Sequence, residues 1–100
     1  MKMILFALAL TFLCATFADA GPIGAACMDS ARNSASSHLC GCIQQVADKI
    51  LPSADQRRAA SFFANPDKAQ QVRMSKSSND NAFWQRYVSF GDAAAQTCQN

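Results

Sequence analysis

Four cysteines, Cys27, Cys40, Cys42 and Cys98, follow an apolar N-terminal run in a chain of 100 residues, and they limit the possible folds more than any other feature. In a short chain kept in an oxidising compartment such cysteines pair with one another, and their even number leaves no obligatory free thiol. The compartment is therefore the first question. Met1 and Lys2 give a short positive start, residues 3–17 are mostly apolar, and Ala18-Asp19-Ala20 places small residues at both positions that a signal peptidase reads. This pattern predicts a signal peptide over residues 1–20, cleaved after Ala20, and a periplasmic or secreted product. The apolar run is shorter than the roughly 20 residues a helix needs to cross hydrocarbon, so no membrane span is expected after cleavage. A lipid anchor is not supported either. Cys14 follows Leu13 rather than a small residue, and Cys27 lies far beyond the apolar run.

Residues 21–100 are enough for one domain, with 21–36 as an N-terminal arm, but give a core worth only a few kcal/mol net. Disulfides are the expected compensation. Setting aside Lys2 and Asp19 of the leader, the nine Lys/Arg and seven acidic residues of the chain become eight and six, a formal +2 with no Glu. That balance is too mild for a dedicated nucleic-acid or anionic-membrane binder, which carries a dense basic stripe. With 4 Gly and 3 Pro and no sustained heptads, collagen-like, low-complexity and coiled-coil readings are excluded as well.

Apolar spacing predicts helices. The arm, rich in small residues, has room for a short helix over 25–32, and the serines of 34–37 can cap the next helix. Leu39, Ile43, Val46 and Ile50 recur at helical spacing and predict a helix over 37–51, stopped by Pro52. Ser53 and Gln56 have the spacing of a capping box and open a second helix that carries Ala59, Phe62 and Phe63 and stops at Asn65. Asn65-Pro66 introduces a third over 67–74, with Ala69, Val72 and Met74 turned inward. After a polar loop at 75–79, Asn79 or Asp80 caps a last helix over 81–98. Its stripe is Phe83, Tyr87, Phe90, Ala94 and Cys98, flanked by Trp84 and Val88. No stretch alternates long enough for a strand. The expected fold is all-α, a small bundle of three to four short helices stapled by two disulfides.

Four cysteines allow three pairings. On a helix whose buried direction is set by Leu39, Ile43, Val46 and Ile50, Cys42 lies about 70° to one side and Cys40 about 90° to the other. Each then faces a different neighbour. Cys98, on the apolar stripe of the last helix, is the preferred partner of Cys42, with Cys27 reaching Cys40; the crossed pairing, Cys27 to Cys42 and Cys40 to Cys98, stays open. The third arrangement, a tight Cys40–Cys42 ring across Gly41, would be strained, and it carries the sharpest enzymatic hypothesis, a thiol–disulfide redox protein. Such enzymes usually place Cys-x-x-Cys on a βαβ scaffold, which this chain lacks.

Other constellations weigh less. His38, Cys40 and Cys42 offer zinc or copper(I) ligand types, but successive ligands two apart do not share a helical face and oxidation consumes the thiolates, so no metal or cofactor is expected. His38 among Ser34, Ser36 and Ser37 is nearness in sequence rather than triad geometry. The six Asp of 21–100 fall mostly at helix starts, where capping is their expected role. The aromatics around Arg86 sit at core spacing rather than on a stacking platform. Arg57, Arg58 and Arg73 form a modest basic patch for weak contact with acidic partners.

The runs Leu39-Cys40-Gly41-Cys42-Ile43-Gln44-Gln45-Val46-Ala47-Asp48, Asp55-Gln56-Arg57-Arg58-Ala59-Ala60, Asp67-Lys68-Ala69-Gln70 and Ala82-Phe83-Trp84-Gln85-Arg86-Tyr87 resemble a group of small exported bacterial proteins, some of which are named arginine transporter. The resemblance covers residues 39–98 and implies export but supplies no catalytic or binding residues. A chain without a span after its leader forms no translocation path. The expected function is that of a non-catalytic binding or structural accessory protein of the bacterial envelope, whose partner is a protein or a small solute of the periplasm. The alternatives are a redox protein using Cys40 and Cys42, and a periplasmic solute-binding or transport accessory for arginine or another amino acid.

Overall fold

The computed structural model describes residues 21–30 and 36–98; the expected leader at 1–20, with Cys14, and residues 31–35 of the arm lie outside the described residues. Among the described residues five helices run in order: α1 (Pro22–Ser30), α2 (Ser37–Ile50), α3 (Ser53–Ala64), α4 (Pro66–Arg73) and α5 (Ser78–Thr97). The fold is all-α, without a strand among the described residues. The count exceeds the expected three to four because the N-terminal arm is itself helical. Ile23 and Cys27, one turn apart, bury one face of α1 against α2 and α3.

Helix ends obey local chemistry, with three departures from expectation. Ser36 accepts a hydrogen bond from the Leu39 N–H at 3.0 Å and caps α2, as the serine run predicts. The capping box on α3 does not form. The cap is Pro52, one residue early, so Gln56 turns inward and donates to the Leu51 carbonyl at 3.1 Å. Asn65 stands at the cap of α4 without a side-chain bond, and Pro66 alone sets the first turn. α5 starts before residue 81 because Ser77, rather than Asn79 or Asp80, caps it by accepting from the Asp80 N–H at 3.3 Å.

The core gathers Ile23, Val46, Ala47, Leu51, Ala59, Phe62, Val72, Phe83 and Phe90. Phe62 meets Phe83 and Tyr87 edge-on at 5.9 and 5.3 Å between ring centroids. Burial pushes the Tyr87 phenol above its usual pKa. Two ion pairs bind α3 to α5: Arg58 with Asp80 at 2.5 Å, and Arg86 with Asp55 at 2.5 Å. Hydrogen bonding from Arg58, then from Ser75, lowers the Asp80 pKa. Of the residues expected inside, Met74 is 78% exposed because α4 has already ended there. Ile50 closes α2 facing outward, and Leu51, in extended geometry, turns into the core instead.

Gly21 precedes α1, and its carbonyl accepts the Ala25 N–H at 3.0 Å. A Cβ built there overlaps the Gln44 carboxamide, whereas one built on Gly41 inside α2 meets nothing within 4 Å. Gly21→Ala is expected to cost about 1–3 kcal/mol in denaturant unfolding by displacing a hydrogen-bonded side chain. Gly41→Ala is expected to gain about 0.5–1 kcal/mol from helix propensity. Equal effects at the two positions would contradict the packing.

Candidate functional site

Two groups of side chains on α2 stand out, the cystines at its start and a polar cluster nearer its end. Cys27 is bonded to Cys40 with Cα atoms 5.6 Å apart, and Cys42 to Cys98 at 5.8 Å, both in the usual disulfide range. This is the pairing that helix geometry ranks first, and neither the crossed links nor the Cys40–Cys42 ring is present. The physical reason is angular. Residues two apart on a helix diverge by about 200°, so Cys40 faces α1 while Cys42 faces the end of α5. Cys27 and Cys40 are buried, whereas Cys42 and Cys98 are half-buried.

A surface groove of about 480 Å³ runs over Met28, Ser37, His38 and the Cys40-Gly41-Cys42 turn. His38 is exposed in the first turn of α2. Both sulfurs of the His38, Cys40 and Cys42 set are spent in disulfides. Among the described residues, no group of three His, Cys, Asp or Glu side chains is placed to hold a metal. The three arginines expected at the surface differ in their surroundings. Arg58 is taken by Asp80, and its guanidinium carbon lies 4.5 Å from the centre of the Phe83 ring. Arg57 and Arg73 are exposed, and Arg57 lines a different groove from Arg58.

The polar cluster is not anticipated by the helical spacing of the sequence. Gln44 and Gln56 are 1% and 6% exposed, so their carboxamides must find partners inside the protein. The Gln44 Oε1 accepts the Gly24 N–H at 2.8 Å, and its Nε2 donates to Asp48 Oδ1 and Gln56 Oε1, each at 2.8 Å. Gln56 Nε2 in turn donates to Asp48 Oδ1 at 3.2 Å. α1, α2 and α3 are thus joined through two side chains. Asp48 is a hydrogen-bond acceptor in this cluster, not a cap. The signal was in the phase of α2: Cys40, Gln44, Ala47 and Leu51 are buried at spacings of four, three and four. The buried face is turned by about one residue from the stripe of Leu39, Ile43, Val46 and Ile50, because α1 packs on one side of α2 and α5 on another.

The chain matches no protein-family model, no curated protein and no solved structure.

The cluster is expected to behave as a unit. Gln44→Leu and Gln56→Leu each leave buried partners unpaired, at about 1–3 kcal/mol apiece in chemical unfolding. The double variant should cost less than the sum of the two, with a coupling of about 0.5–3 kcal/mol. Strict additivity would mean that the two carboxamides do not depend on one another.

Proposed function

We propose that this protein is an exported, disulfide-stabilised helical domain that acts as a non-catalytic binding or structural accessory of the bacterial envelope, after removal of residues 1–20. The observation that carries the reading is the use of all four cysteines. Cys40 and Cys42 each hold a distant segment, so in this oxidation state neither is a thiol or half of an exchangeable Cys40–Cys42 pair. What the molecule then offers a partner is its surface. The absence of a helix long and apolar enough to cross a membrane among the described residues fits this reading. An oxidising compartment fits it too, because structural disulfides form and persist in such compartments.

Exporting the full chain from a bacterial host and mapping non-reduced peptides by mass spectrometry tests this directly. The expected result is Cys27–Cys40 and Cys42–Cys98 links, no acceleration of dithiothreitol reduction of a disulfide substrate, and no thermal shift with arginine or other amino acids. Accelerated reduction together with a recovered Cys40–Cys42 link would favour the redox alternative. Stabilisation by one amino acid would favour the solute-binding alternative.

A further inference from the structure

Gly21 is the residue that cleavage after Ala20 would leave first, so any role for its amine rests on that part of the proposed function. It shares a groove of about 430 Å³ with Gln44, Asp48, Gln56 and Arg57. Asp48 comes from α2 and Arg57 from α3. Asp48 uses Oδ1 to accept two neutral carboxamide donors, and neither ion pair among the described residues involves it. Among the described residues, the carboxylate therefore stands in the groove with hydrogen bonds but without a cation within bonding distance.

The start of α1 supplies the complementary problem. A free α-amino group on Gly21 would be positive at the helix end that is itself partly positive, which is unfavourable without a nearby anion. α1 carries no acidic residue in its first turn. The anion available in the groove is Asp48, from a different helix. Position 21 is also sterically specified, since a Cβ there overlaps the pinned Gln44 carboxamide. A residue held this closely has little freedom to carry its ammonium elsewhere.

We propose that in the processed chain the Gly21 ammonium is held by the Asp48 carboxylate, so that removal of the leader adds an ion pair to the Gln44–Gln56 cluster. The pair belongs to the folded state, and it raises the proton affinity of the amine there. Its stabilisation is fully present below the ordinary α-amino range of about 7.7–8.0 and is lost as the pH rises through the higher folded value. Arg57 and Asp48 are the charged groups facing the amine in this groove.

The test uses protein processed from the exported full chain. Its intact mass first fixes the starting residue, and any start other than Gly21 overturns the cleavage reading and the ion pair together. With Gly21 first, the Gly21 Cα resonance of isotope-labelled protein is tracked through an NMR pH titration. The amine is expected to bind its proton about threefold more tightly than an ordinary α-amino group. Asp48→Asn keeps an oxygen acceptor for the two carboxamides and removes only the charge. In that variant the tighter binding should disappear, and the fall in denaturation midpoint relative to the unaltered protein should be larger at pH 6.5 than at pH 9.5. An ordinary titration in the unaltered protein, or a midpoint difference independent of pH, overturns the pair while leaving the cleavage reading in place.

Discussion

The fold depends on the covalent attachment of α2 to segments from both sides of it in the sequence. Cys40 holds α1 through Cys27, and Cys42 holds the end of α5 through Cys98, across separations of 13 and 56 residues. In the chain-entropy model such loops stabilise by about 3 and about 4 kcal/mol, comparable with the whole folding free energy of a domain this small. The core cluster of nine buried apolar residues among the described residues, two of them alanines, is too slight to make those links redundant. The Cys-Gly-Cys spacing has a structural role, since it aims the two sulfurs to opposite sides of one helix.

The second constraint is polar. Burying Gln44 and Gln56 requires every carboxamide group to be paired, and the pairing draws on the backbone of α1, the Asp48 carboxylate and the Leu51 carbonyl. Apolar contact is tolerant of small shifts, whereas this set of bonds accepts one arrangement of α1 on α2 and α3. The disulfide at Cys27 fixes that α1 lies near α2. The carboxamides fix how it lies, and the lack of a side chain at Gly21 matches the room they occupy.

The all-helical architecture and most helix limits were legible because proline, serine and apolar spacing act locally. What was not legible depends on tertiary context. The arm read as holding at most a short helix over 25–32, whereas α1 starts at Pro22 and Ile23 is fully buried once α2 and α3 are beside it. Gln56 read as half of a capping box and nothing in the spacing marked Gln44, since a glutamine is seldom buried. Their burial is favourable only when both are present with Asp48, a relation between two helices that no window along the chain reports. Phasing α2 by its branched residues missed the face formed by Cys40, Gln44, Ala47 and Leu51 for the same reason. The partners of Arg58, Asp80 and Phe83 on α5, were not legible either, because they lie more than 20 residues away along the chain.

Cys27, Cys40, Cys42 and Cys98 are spent in cross-links, and His38 is exposed. The disulfides, more than the apolar interior, are expected to keep these helices assembled. Denaturant unfolding of the oxidised protein and of the protein held reduced by a phosphine tests it most directly. Reduction is expected to remove most of the stability, leaving little or no cooperative transition. A reduced chain that unfolds cooperatively at the same denaturant concentration as the oxidised one would contradict it.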